Sequence, residues 1–190
     1  MEDNLFFQPN PMIIKIPPPQ KILIIYNPIS SAGNTEAIAC KLEIELVFHG
    51  KTVEVRPSEK KMKGYTLIAD EIANSDLVVV VGGDGTIRKL LEVINKTSIP
   101  IYAIPGGNES LFAKHYAMSS RIEDLLQAIS TGTCLQQFYG LISGKSIRGE
   151  KPFFNMASMG LDSLTVKNIG KRKGPLNDSI YLWHGIRALC

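Results

Sequence analysis

Three glycines, one aspartate and one threonine stand together at Gly82-Gly83-Asp84-Gly85-Thr86, directly after the apolar run Leu77–Val81. Glycines strip side chains from a turn, and bare backbone N–H groups just ahead of a helix suit a phosphate. The aspartate is the odd member. A carboxylate among phosphate-binding amides is electrostatically unfavourable unless it has a task, such as orienting a metal-bound water or accepting a proton from an attacking hydroxyl. The plainer alternative is that Asp84 caps the helix of residues 86–95. The two glycines before it, and two further loops of similar make-up, favour the chemical role.

Those loops are Asn27–Asn34, containing Ser30-Ser31-Ala32-Gly33, and Pro105–Ser110, containing Gly106-Gly107. Common nucleotide motifs do not match them. There is no GxxxxGK[ST], and Arg88 stands where a GxGxxG starting at Gly83 needs its last glycine.

The elements around these loops explain why three of them should matter together. Lys21–Tyr26 (KILIIY), Thr52–Arg56, Leu77–Val81 and Ile101–Ile104 read as strands, and the apolar runs are what strands buried on both faces require. Helices are expected near Thr35–Phe48, Thr66–Ala73, Thr86–Asn95, Leu111–Tyr116 and Arg121–Ser130. In the first, Ile38, Leu42 and Leu46 share a face and Gly50 ends it; in the third, Ile87, Leu90, Leu91 and Ile94 follow the i, i+3, i+4, i+7 spacing. Strand alternating with helix predicts a doubly wound parallel α/β sheet with helices on both faces. Ligands of such sheets sit beyond the carboxyl ends of the strands, which is where all three loops fall. Three small-residue loops on one edge point to a ligand with several phosphates.

After Cys134 the texture changes. Leu135–Ile142 and Pro152–Ser158 read as strands, Leu161–Asn168 and Tyr181–Leu189 as helices. The expected organisation is an extended proline-rich tail over residues 1–20, a nucleotide-binding α/β domain over 21–133, and an incomplete β-rich second domain over 134–190.

Composition is that of an ordinary globular chain: 190 residues, 44% hydrophobic, net charge +3. The charge is too mild to argue for nucleic acid. Between positions 145 and 173, however, Lys145, Arg148, Lys151, Lys167, Lys171, Arg172 and Lys173 face only Glu150 and Asp162, a surface able to meet phosphates or anionic lipid heads. Cys40, Cys134 and Cys190 make no CxxC pair and no metal spacing with His49, His115 or His184, which fits a reducing compartment. The start Met-Glu-Asp is a poor signal peptide, and no apolar run approaches a membrane span.

With these residues in view, the chain resembles the diacylglycerol kinase catalytic domain superfamily, which includes sphingosine, ceramide and bacterial lipid kinases. Gly82–Thr86 is the shared signature, found also in NAD kinases. Tyr26-Asn27-Pro28-Ile29-Ser30-Ser31-Ala32-Gly33 is similar to the lipid kinases' opening NP-x-S-G loop. Ile104–Lys114 resembles their P-x-G-T-x-N segment, and Phe154–Asp162 resembles the opening of their second domain. The resemblance covers residues 21–190, in order and spacing.

It implies a nucleotide site built from Asn27, Pro28, Ser30, Ser31, Gly82, Gly83, Gly85, Thr86 and Gly107, with Ser58 and Asn108 approaching phosphates or ribose. Asp84 would be the catalytic residue, positioning magnesium and phosphate or acting as base. ATP and Mg2+ are the implied cofactors. No metal ligand within the chain is identified. The implied activity is transfer of the ATP γ-phosphoryl group to a hydroxyl of a diacylglycerol- or sphingoid-class lipid. The protein would be cytoplasmic and peripheral at a membrane face, without nucleic acid and without a transmembrane segment, homodimer formation being left open. Two competing readings are an NAD kinase-type enzyme with a soluble substrate and a catalytically silent nucleotide- or lipid-binding remnant.

The departures are specific. Arg88-Lys89 stand where the family usually has Asn-Glu, Asn108 replaces its threonine, and Ser110 stands for the asparagine two positions on. The family's second domain is longer, and its late acidic catalytic residue and structural magnesium site have no counterpart here. The chain is therefore expected to be either a fragment or a shortened homologue.

Overall fold

The computed structural model describes residues 12–30, 34–58, 68–94, 97–106, 110–144 and 149–154. In chain order the elements are β1 (Met12–Lys15), β2 (Lys21–Tyr26), α1 (Thr35–Phe48), β3 (Thr52–Pro57), α2 (Ala69–Ala73), β4 (Leu77–Gly82), α3 (Asp84–Ile94), β5 (Ile101–Pro105), α4 (Leu111–His115), α5 (Ile122–Thr131), β6 (Thr133–Gln136), β7 (Gly140–Ile142) and β8 (Lys151–Phe153).

The three strands that apolar runs mark out, and the one marked by the alternation of Thr52–Arg56, form a parallel sheet in the order β3-β2-β4-β5. Side chains alternate across a strand, so each central strand feeds two cores. Ile22, Ile24, Val79, Val81 and Ile104 meet Ala39, Leu42 and Leu46 of α1 and Leu125 and Ile129 of α5 on one face. Leu23, Ile25, Val78, Val80 and Ala103 meet Ile72 of α2, Ile87, Leu90 and Ile94 of α3 and Ala113 of α4 on the other. Both faces of β2 and β4 thus meet apolar side chains, which is why Ile22–Tyr26 and Leu77–Val81 read as unbroken hydrophobic runs. At the edge of the sheet, the Ala103 N–H of β5 donates to the Met118 thioether at 3.1 Å.

Two short antiparallel ribbons flank this body. Residues 12–15, expected within a loose tail, form β1 and pair with β6, Met12 opposite Gln136 and Lys15 opposite Thr133. Gly132 makes the junction. It ends α5 in the left-handed region at φ +57°, and its carbonyl accepts the Ile16 N–H at 2.9 Å. An added Cβ would lie 2.3 Å from the Ile16 carbonyl oxygen. Leu135–Ile142, expected as one strand, is two: β6 ends at Gln136, and β7 resumes at Gly140 to pair with β8, Gly140 opposite Phe153.

Other bounds shift slightly. The second helix is described from Ala69, residues 59–67 lying outside the described set, and the third starts at Asp84 rather than Thr86. The helices expected at 161–168 and 181–189, and most of the basic 145–173 stretch, also lie outside it. Among the described residues no helix is long and apolar enough to cross a membrane.

Candidate active site

The strand order reverses between β2 and β4. The chain goes outward from β2 to β3 on one side and from β4 to β5 on the other, and a sheet opens a crevice at such a point. The loops emerge there in register. Asn27 N–H donates to the Val81 carbonyl at 3.0 Å, Ser58 N–H to the Tyr26 carbonyl at 2.6 Å, and Gly106 N–H to the Gly82 carbonyl at 3.0 Å.

Asn27 ties the first loop to the third. Its Nδ2 donates to Ser30 Oγ at 2.8 Å and to Thr86 Oγ1 at 3.2 Å, and its Oδ1 accepts the Ile29 N–H at 3.3 Å. Its backbone carbonyl accepts the Thr35 hydroxyl at 2.6 Å, fixing where α1 begins. Thr86 is nearly fully buried and reaches Asn27 because Gly82 has no side chain; a Cβ there would sit 2.9 Å from Thr86 Oγ1. Gly85 differs: nothing lies within 4 Å of the Cβ it lacks. Gly82 makes room for the protein itself, and Gly85 leaves a bare surface facing the cleft.

That cleft has a volume of about 670 Å³ and is lined by Asn27, Pro28, Ile29, Ser30, Pro57, Ser58, Gly83, Gly85, Thr86, Arg88 and Lys89. The size suits a nucleotide-scale ligand. A smaller cavity of about 260 Å³, at the amino ends of β2 and β3, is lined by Glu54, Asp70 and Glu71 among others, and those carboxylates make it a poor seat for phosphate. The structure therefore gathers Asn27, Pro28, Ser30, Ser58, Gly83, Gly85 and Thr86 in one cleft, with Gly82 in the strand end behind it. Ser31, Gly107 and Asn108 lie outside the described residues.

Asp84 has a partner that neither sequence reading foresaw. Its Oδ2 accepts the Leu111 N–H at 3.0 Å and its Oδ1 the Phe112 N–H at 2.9 Å. Helix α4 begins after Ser110, which is buried at φ +47°, ψ +49° and makes no side-chain cap. The carboxylate supplied from the turn after β4 caps α4 instead, while its charge also sits favourably in the first turn of α3. Asp84 thus caps a helix, but a different one from residues 86–95, and it is not among the residues lining the cleft.

A model described as the diacylglycerol kinase catalytic domain matches residues 21–138, a span that holds the parallel sheet and every described residue of the cleft. The chain belongs to the diacylglycerol kinase catalytic domain family. A Mycobacterium tuberculosis protein named diacylglycerol kinase is 25% identical over 165 residues, 82% of this chain and 50% of that protein. A Streptococcus pneumoniae protein provisionally named a lipid kinase is 30% identical over 135 residues, 65% of this chain and 46% of its own length. A solved diacylglycerol kinase structure from Bacillus anthracis matches with a TM-score of 0.49 at 22% identity, covering 59% of this chain and 40% of that one. The chain spans half or less of the length of these curated relatives.

In this diacylglycerol kinase catalytic domain, Ile29 and Pro57 add apolar wall that sequence reasoning did not single out. Arg88 and Lys89 stood out only as a departure, and the structure puts both on the cleft wall. Arg88 Nη1 bonds Glu92 Oε1 at 3.2 Å, an i,i+4 pair legible in the sequence. Lys151 Nζ reaches Glu92 Oε2 at 2.9 Å from β8, a contact that spacing does not reveal. Among the described residues, no three His, Cys, Asp or Glu side chains gather to hold a metal ion.

Proposed function

We propose that the chain carries the nucleotide-binding part of a lipid kinase, which moves the γ-phosphoryl group of ATP to a hydroxyl of a diacylglycerol- or sphingoid-class lipid at a membrane face. The single observation that carries this reading is the bare surface of Gly85 in a cleft at the sheet's switch point, flanked by the hydroxyls and amide of Asn27, Ser30 and Thr86. A polyphosphate fits such a wall because backbone N–H groups and small donors approach it closely. ATP supplies the phosphoryl group: the bond from γ-phosphorus to the ADP oxygen breaks, the bond to the lipid oxygen forms, and the hydroxyl proton leaves to solvent or a base. Asn27, Ser30, Ser58 and Thr86 bind and orient, which is most of what such a transfer asks of a protein. The described walls fit the nucleotide phosphates but bring no carboxylate for Mg2+, so no step is assigned to the metal.

A second reading, binding without transfer, is favoured by Asp84, whose two oxygens already accept amide hydrogens of α4. Gly85→Ala tests the site. The substitution removes a flexible residue from a helix and meets no atom, so the protein should gain about 0.4–1 kcal/mol in stability. ATP binding, read by calorimetry, should fall at least tenfold because a methyl group would occupy the phosphate wall. Undiminished ATP binding in Gly85→Ala would overturn the site. Labelled ATP with mixed diacylglycerol and sphingosine vesicles then separates the two readings: labelled lipid supports transfer, and binding with no labelled lipid supports the silent module.

A further inference from the structure

The cleft walls carry two cations, Arg88 and Lys89, and no carboxylate among the described lining residues. Arg88 is held from outside the lining, its Nη1 donating to Glu92 Oε1 at 3.2 Å one helical turn on. The second oxygen of Glu92 takes Lys151 Nζ from β8 at 2.9 Å. The Glu92 side chain is 9% exposed, against 53% for Arg88 and 47% for Lys151. A buried carboxylate stripped of its counter-charge is strongly unfavourable, so a Glu92 paired with Arg88 alone would hold the guanidinium fast. Lys151 removes that constraint.

We infer that Arg88 is a movable phosphate ligand of the cleft, able to leave Glu92 because Lys151 remains as its partner. The inference rests on the triphosphate reading of the cleft and deepens it. The charge of the bound polyphosphate is met by cations of the chain, and metal-free ATP is itself a ligand. A guanidinium suits the task, since its planar fork gives paired, charge-assisted bonds to phosphate oxygens. Lys151 does not line the cleft, and on this inference its influence on binding passes through Glu92.

The test is calorimetry of the full 190-residue chain with ATP, once with magnesium and once with EDTA. Wild type should bind metal-free ATP, and Arg88→Met should weaken that binding about tenfold, the scale of one charge-assisted hydrogen bond. Lys151→Met should weaken it about fivefold, and in a Glu92→Gln background the same change should do nothing, because coupled residues are non-additive. Equal weakening by Lys151→Met in both backgrounds would mean a plain long-range field and would overturn the proposal, as would Arg88→Met binding as well as wild type. Arg88→Met leaves Glu92 paired with Lys151 and so keeps the test decisive if Glu92→Gln unfolds. Failure of wild type to bind ATP even with magnesium would instead overturn the triphosphate site.

Discussion

The parallel sheet and the two ribbons use strands in opposite ways. Every residue of β4 is buried, as are five of six in β2, whereas all four residues of β1 are exposed and Ile13 and Leu135, opposite one another in the ribbon, are 67% and 47% exposed. The sheet is held by apolar burial on two faces. The β1–β6 ribbon is held by backbone pairing, a glycine junction and a few polar contacts, such as Lys15 Nζ to Thr133 Oγ1 at 2.6 Å, whereas the β7–β8 ribbon also buries Pro152, sets Phe154 against Phe112 and the second core, and ties Lys151 to Glu92. The switch point of the sheet can therefore hold Asn27, Gly85 and Thr86 rigidly, because the strands behind them have nowhere to go.

The sharpest way to break this contrast is to truncate each region. Ile24→Ala should cost about 2–5 kcal/mol, the range for a large buried side chain, and should shift the urea midpoint accordingly. Leu135→Ala should stay within about 0.5 kcal/mol; a cost matching that of Ile24→Ala would show that the ribbon belongs to a core after all. Gly132→Ala comes next. A left-handed backbone and a 2.3 Å approach to the Ile16 carbonyl should together cost at least about 1–3 kcal/mol. Hydrogen exchange should localise the damage, with the Ile16 amide losing protection while β2 and β4 amides keep theirs.

The smallest effect is expected at the seam. Asp76 Oδ2 accepts the N–H groups of Gln20 and Lys21, where the chain leaves the ribbon for β2, and those backbone bonds hold its carboxyl below the usual range. A folded pKa below the unfolded value of about 3.9 contributes stability that is present above that pH and lost as the pH falls through the folded value. Asp76→Asn should therefore lose a few tenths of a kcal/mol at neutral pH, because the site is exposed. The difference from wild type should close on acidification, and a gap that widens as acid is added would reverse the assignment.

Much of this was legible in the residues. Three apolar runs and the alternation of Thr52–Arg56 marked the strands, α1 runs from Thr35 to Phe48 as its spacing predicts, and seven of the expected ligand positions line one cleft. What escaped was long-range. The β1 tetrad MIIK lies near prolines and has its partner at Thr133–Gln136, so no local pattern marks it as a strand. The cap that Asp84 provides joins residues 27 and 28 positions apart, and the Lys151–Glu92 contact spans 59. Periodicity reports which face a residue occupies, but it says nothing about which distant amide will find a carboxylate.

The carboxylate at position 84 acts as a tie-rod. One end is rooted in the turn whose naked surface faces the cleft, and the other grips the first amides of the helix that follows β5. A tug on Leu111 is thus delivered to Gly85, and one wall of the crevice travels with the start of α4 as a single mechanical part.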